Sequence, residues 1–324
     1  PHRCRGVSSL PTGGTLDLVT RISPAPLILR GQTFDAARPA VMGIINRTSD
    51  SFYAPARYED AAGVVARASA MVAEGVSIVD VGGVRAGQEG EWVDAAAEIA
   101  RVKPALGALK EALPNLLLSL DTWRAEVARE VAAAGADLIN DTWAGADPHL
   151  VEVAGEHGLG VVCSHTGGAA PRTDPVDVRF SLPRDAPADA DPLDAVVADV
   201  VATLSAGARR AIACGVPGRS VLVDPTHDFG KRTVDSLQLV RRTAALVALG
   251  YPVLMALSRK DFVGETLDLP ADERLEGSLA ATAVAAWLGA TVFRAHDVRA
   301  TRRTLDMVAS IRGDRPPAKA ERGR

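Results

Sequence analysis

Apolar positions along the chain gather into short runs rich in Val, Ile and Leu, and each run is followed by a longer Ala-rich stretch with helical spacing. The runs predict strands at 40–45 (AVMGII), 76–81 (VSIVDV), 116–120 (LLLSL), 137–139 (DLI), 159–163 (LGVVC), 220–223 (SVLV), 252–257 (PVLMAL) and 291–293 (TVF). The stretches between predict helices near 60–74, 91–112, 123–134, 147–157, 193–214, 234–249, 272–288 and 298–311. Such alternation is what a parallel sheet with crossover helices requires. Eight β/α units closing on themselves make a single-domain α/β TIM barrel, expected over residues 38–312. An open doubly wound sheet would want a glycine loop after its first strand, and "INRTSDSF" has no glycine. Two segments flank the barrel, an extension over 1–37 and a tail over 313–324. Within the extension, "LILRGQTF" predicts a strand pair able to plug the barrel floor. The tail is expected to be disordered. A long stretch from His165 to Pro192, rich in Pro, Asp and Ala, interrupts the alternation as a rim loop or an unordered insertion.

Composition narrows the partners. The 324 residues carry 36 Lys plus Arg against 40 Asp plus Glu, a net charge of -4, which leaves no basic footprint for nucleic acid or an anionic membrane. A small molecule or another protein is the expected partner. The three cysteines, Cys4, Cys163 and Cys214, show neither CxxC nor Cys/His spacing, so neither a disulfide framework nor a structural zinc site is expected. Arg3 and Arg5 are not followed by an apolar signal region, and no apolar run approaches a membrane span. These features predict a soluble protein of the reducing cytoplasm.

The barrel reading gives the polar residues an address, because all strands run the same way and the residue at each strand's end lies on one rim. Asn46, Asp80, Asp121, Asn140 with Asp141, His165, Asp224, Ser258 to Lys260, and Arg294 with His296 occupy these ends in order. Each has a plainer reading. Asp121-Thr122 and Asp141-Thr142 can cap the next helix, His165 can be a satisfied core histidine, and Arg259 with Lys260 can be a solvated pair. Capping and solvation do not explain why eight strands end this way together. Asp121, Asn140 and Asp224 suit the amino and ring-nitrogen edge of a heterocycle, which a carboxylate meets with two parallel hydrogen bonds. Arg294, His296 and Asn46 suit an anion, since a guanidinium forks onto phosphate oxygens.

The motifs "MGIINRTSDSF", "VDVGG", "SLDTWRAEVA", "LINDTWAG", "SHTGG", "DPTHDFGK", "LSRKDFVG" and "FRAHDV" follow one another in an order that resembles the dihydropteroate synthase family from about residue 38 to 312. The resemblance implies a barrel that joins 6-hydroxymethyl-7,8-dihydropterin diphosphate to 4-aminobenzoate. It implies that Asp121, Asn140, Asp224 and Lys260 hold the pterin, with Phe229 in the substrate-binding set. Asn46, Arg294 and His296 would hold the diphosphate, Asn46 also meeting a Mg²⁺, and Asp121, Lys260 and Arg294 would carry catalysis. A homodimer through the late helices, which "LAATAVAAWLGA" suits, is implied as well.

The departures from the family pattern are specific. Arg47 and Ser49 replace a Val and a Pro, "YAPARY" replaces a glycine-rich turn, and "GGVRAG" shortens the second loop, keeping Arg85 but losing Glu, Ser and Thr. Thr226, His227 and Asp228 replace Gly-Ile-Gly, and Ala256 replaces a glycine. Side chains there would crowd a flat ligand that glycines let the backbone approach, and Asp228 would set a second carboxylate near Asp224. The expectation is therefore a synthase-type protein with reduced or lost activity, resembling a divergent second copy. The alternatives are a catalytically inactive paralogue that binds another ligand and, further off, a pterin-dependent methyltransferase, which has no diphosphate for the "SRK" and "RAHDV" motifs to hold.

Overall fold

The computed structural model describes residues 24–47, 61–84, 92–173 and 178–322. The expectations at Arg3, Cys4, Arg5, Ser49, 53–58 and Arg85 lie outside these residues. Strands β1 (Leu27–Leu29) and β2 (Gln32–Phe34) form an antiparallel hairpin with Leu29 opposite Gln32. Its two-residue turn has φ +45° at Arg30 and +75° at Gly31, the paired positive angles that match the twist of a hairpin. Then follow β3 (Ala40–Asn46), α1 (Ala61–Ala73), β4 (Ile78–Gly82), α2 (Ala95–Ala112), β5 (Leu117–Asp121), α3 (Ala125–Ala132), β6 (Leu138–Asn140), α4 (Leu150–Glu156), β7 (Gly160–Ser164) and α5 (Asp194–Ala213). The second half holds β8 (Val221–Asp224), α6 (Thr233–Arg241), α7 (Thr243–Val247), β9 (Leu254–Met255), α8 (Asp261–Leu267), α9 (Leu275–Trp287), β10 (Val292–Ala295) and α10 (Val298–Arg312). The sheet runs β8-β7-β6-β5-β4-β3-β10-β9, every pair parallel. A parallel bridge from Val223 to Val253, with Val223 N donating to Pro252 O at 3.0 Å, links β8 to the approach of β9 and nearly closes the TIM barrel.

Strand parity decides what lies inside. Successive side chains point to opposite faces, and the structure has two apolar cores that follow this rule. Val41, Val79, Leu118, Ile139 and Phe293 belong to the outer core under the helices. Met42, Ile78, Leu117, Leu138, Val162, Leu222, Leu254 and Val292 belong to the inner one, together with Leu27, Leu29 and Phe34 of the hairpin. The expected plug therefore forms, and Phe34 is fully buried against the barrel floor. Counting on by twos from that inner layer reaches Asn46, Asp80, Asp121, Asn140, Asp224 and Arg294. The same register that packs the floor aims the polar groups into the mouth.

Two expected elements differ, and one element was not expected. The helix expected over 234–249 breaks at Arg242 into α6 and α7, where the Thr243 hydroxyl bonds back to the Val240 carbonyl at 2.8 Å and competes with the helix ladder. The strand expected over 252–257 is reduced to Leu254–Met255. Helix α8 was not anticipated: its seven residues are too few for a helical period to register. Residues 313–322 carry no helix or strand, and Arg315 pairs with Asp306 of α10 at 2.6 Å.

Candidate functional site

Arg294, on β10, ties the mouth together. Its Nε donates to Asp80 Oδ2 at 2.7 Å and its Nη2 to Asp121 Oδ2 at 2.8 Å. Asn140 Nδ2 donates to the same Asp80 oxygen at 3.1 Å, and Thr142 Oγ1 to Asp121 Oδ1 at 3.0 Å. Asp80 is fully buried, and its other oxygen has no hydrogen-bond partner among the described residues. Burial pushes the Asp121 carboxyl up to about 7 against the pull of Arg294, whereas Asp80 and Asp121 outweigh burial at Arg294 and raise its guanidinium above the ordinary value. The 2.7 and 2.8 Å contacts are those of an ionised pair, so a charged Asp121 beside Arg294 describes this site best.

Across the mouth, Asp224 ends β8 and accepts from Thr226 N at 2.7 Å. Burial raises its carboxyl to about 6, opposed by the Thr226 bond and by Lys260, Lys231 and Arg294. Lys260 stands at the start of α8, donates to His227 O at 3.0 Å, and holds its ammonium 4.4 Å from the centre of the Phe229 ring. Phe229 meets Trp143 edge to face at 5.1 Å. His296 donates its backbone NH to Ser258 Oγ at 3.2 Å and pairs Nδ1 with the same oxygen at 3.1 Å, and burial lowers its pKa to about 3, so the ring is neutral. Asn46 flanks Gly82 on the side opposite Asp121: a Cβ on that glycine would sit 3.7 Å from Asn46 Oδ1 and 3.5 Å from Asp121 Cβ. The described strand ends thus bring Asn46, Asp80, Asp121, Asn140, Asp224, Lys260 and Arg294 to one end of the barrel.

Other expectations change. Arg259 is buried rather than solvated: it forks onto Asp297 at 2.9 and 3.1 Å and donates to the carbonyls of Ala271 and Asp272, fastening the "SRK" turn to the start of α10. Asp228, expected as a second carboxylate near Asp224, is engaged by backbone NH groups. Its carboxylate accepts from Asp261 N at 2.7 Å and Phe262 N at 3.3 Å, capping α8 from a neighbouring loop. Asp141 does hold a turn, accepting from Trp143 N and Gly145 N, while Asp121 caps no helix among the described residues and faces Arg294. His165 pairs Nε2 with Asp199 at 2.7 Å. Lys231 was missed: buried, it donates to the carbonyls of His165, Thr226 and Phe229 at 2.7, 3.0 and 2.9 Å, clipping the β8 loop to β7. Its signal was a lysine closing the "DPTHDFGK" run.

A sequence profile of pterin binding enzymes matches residues 42–296, which span every strand end just described. The chain belongs to the pterin-binding enzyme family. Among similar relatives, the Mycobacterium leprae protein named inactive dihydropteroate synthase 2 is 54% identical over 299 residues, covering 91% of this chain and 98% of that one. The Bacillus subtilis dihydropteroate synthase is 32% identical over 272 residues, covering 84% and 88%. The Yersinia pestis dihydropteroate synthase, solved with a sulfonamide drug complex, superposes with a TM-score of 0.77 at 32% identity over 90% of this chain and 100% of that one. Within this pterin-binding barrel, Thr226 and Asp228 have φ +52° and +71°. Both stand where the family pattern read from the sequence has glycine, so the backbone keeps a glycine's shape under side chains that disfavour it.

Proposed function

We propose that this barrel binds a reduced pterin in its mouth, as a dihydropteroate synthase-type protein, and that condensation of 6-hydroxymethyl-7,8-dihydropterin diphosphate with 4-aminobenzoate is reduced or lost. The observation that carries the reading is the convergence of Asp121, Asn140, Asp224 and Lys260 at one end of the barrel, with Lys260 over the Phe229 ring. Carboxylates and an amide present paired acceptors and donors to the edge of an aminated ring, and the aromatic side chain offers its face. Asn46, Arg294 and His296 are assigned to the diphosphate. Arg294 has two donors on carboxylates and its Nη1 without a hydrogen bond among the described residues, leaving one edge for phosphate oxygens.

Mg²⁺ fits this donor set only in company. Asn46 Oδ1 is a hard oxygen ligand, but no group of three His, Cys, Asp or Glu suited to a metal occurs among the described residues. Asn46 together with substrate diphosphate oxygens would hold the ion. A bound Mg²⁺ supplies charge stabilisation to the departing diphosphate. The residues themselves orient the ring and neutralise charge: Asp80 fixes Arg294 and Asn140 at once, and neutral His296 offers a hydrogen bond rather than a charge.

Reduced turnover is supported by Thr226 and His227 being buried where the family pattern has Gly and Ile, and by the M. leprae relative's name. A catalytically silent paralogue that uses the same mouth for another ligand is the second reading, favoured by the departures at Arg47 and "GGVRAG". We place the protein in the cytoplasm as a homodimer, in keeping with the free thiols of Cys163 and Cys214 and with exposed apolar side chains on α9 and α10. No helix among the described residues is long and apolar enough to cross a membrane.

Calorimetric titration of the pterin diphosphate with Mg²⁺ tests the binding, and a coupled assay for released diphosphate with 4-aminobenzoate tests the turnover. Saturable binding that weakens about tenfold in Lys260→Ala, roughly 1.4 kcal/mol, is expected, with turnover far below that of an active synthase. Absence of wild-type binding sinks the pterin reading; turnover equal to an active synthase sinks the loss of activity.

A further inference from the structure

A second cavity, of about 470 Å³, lies outside the strand ring, between the 178–192 stretch and the first turns of α5 and α6. It shares no lining residue with the mouth cluster. Its size falls in the range that takes small ligands, roughly 300–1,000 Å³. Val178, Phe180 and Pro192 give it apolar walls, and the Phe180 ring is backed by the His165 ring at 5.9 Å.

The charges are uneven. Arg232 is spent on the buried Asp235, with bonds of 2.9 and 2.8 Å from its guanidinium and 3.0 Å from its backbone NH. Arg179, also on the cavity wall, is exposed and has no ion pair or hydrogen bond among the described residues. Two cations against one carboxylate leave one positive charge on the lining. The first turn of α5, a helix of 20 residues, borders the same space and adds the positive end of its dipole, whereas the start of α6 is closed by Asp235. Leu193 gives the α5 N-terminus no side-chain cap.

We propose that this cavity is a binding site for a monoanionic organic carboxylate with an apolar body. The ring or chain lies on Phe180 and Pro192, and the carboxylate meets Arg179 and the start of α5. A dianion would exceed the single uncompensated charge, and a cation would face Arg179. This site does not depend on the pterin reading of the mouth.

2-Naphthoate serves as the probe, titrated calorimetrically into the full chain. One equivalent should bind, at least tenfold more weakly to Arg179→Glu and not measurably to Pro192→Trp, which fills the cavity from its exposed wall. Because Arg179 is exposed and unpaired, its variant should melt with the wild type, which separates lost binding from lost folding. Lys260→Ala should bind the probe as the wild type does. The proposal is overturned if 2-naphthoate does not bind at millimolar concentration, if Lys260→Ala abolishes binding, if both cavity variants bind normally, or if 2-naphthylmethylamine binds equally well.

Discussion

Arg294 and His227 show two ways for a polar side chain to be buried, and they respond to mutation in opposite senses. Arg294 joins Asp80 and Asp121 at 2.7 and 2.8 Å, with the arginine about 20% exposed and Asp80 fully enclosed. Removing the cation strands two carboxylates, so Arg294→Ala should lower unfolding free energy by about 3 kcal/mol, the lower end for a broken buried pair because of the residual exposure. Adding Asp80→Asn to that variant should recover part of the loss in urea denaturation; no recovery would mean that the carboxylates are not the source. His227 is enclosed with neither ring nitrogen hydrogen-bonded among the described residues, and burial draws its pKa well below the usual value. A depressed histidine takes up its proton in the unfolded state first, so its stabilising contribution to folding is lost as pH falls below about 6.5. His227→Ile, which restores the family's apolar residue, should raise stability by about 1–3 kcal/mol and flatten the decline between pH 6.5 and 5. An unchanged acid limb in the variant would contradict this account.

At the scale of elements, α8 depends on a cap that its own sequence lacks. Lys260 begins the helix without a side-chain cap, and Asp228 supplies both acceptors across 33 and 34 residues of chain. Asp228 does this at φ +71°, a conformation costing about 1–2 kcal/mol for a residue with a Cβ. Asp228→Ala should lose the cap and keep the strain, whereas Asp228→Gly loses the cap but relieves the strain. The glycine variant should therefore be the more stable of the two by about 1 kcal/mol, as read from denaturation midpoints; equal midpoints would remove strain from the explanation. The example also marks what was legible beforehand. Strand parity alone, counted by twos from Ile78, Leu117 and Leu222, leads to Asp80, Asp121 and Asp224, so the mouth residues could be read from local pattern. Contacts such as Asp228 on α8, Arg259 on Asp297 or Lys231 on three carbonyls join segments without a shared period, and nothing in spacing announces them.

Across the whole molecule, the barrel floor and the helical shell are finished differently. The floor is sealed from within the chain, by Leu27, Leu29 and Phe34 of the hairpin against the inner apolar layer. The outer faces of α9 and α10 have no such cover. Val284 and Trp287 are 47% and 53% exposed, three residues apart on α9; Met307 and Ile311 are 61% and 60% exposed, four apart on α10. Each spacing puts its pair on one helix face, and Arg312 Nη1 draws the end of α10 to the Ala286 and Trp287 carbonyls of α9 at 2.8 and 2.6 Å. Aromatic and large apolar side chains of this kind anchor subunit interfaces, and a face presented identically by two copies is self-complementary under a twofold axis. The proposed homodimer should accordingly show twice the 33.8 kDa chain mass by light scattering. Trp287→Arg combined with Met307→Glu should bring it to 33.8 kDa. Both side chains are more than half exposed, so the monomer should keep its far-ultraviolet signature. A wild-type mass of one chain at tens of micromolar, or a double variant that stays dimeric, would move the interface elsewhere.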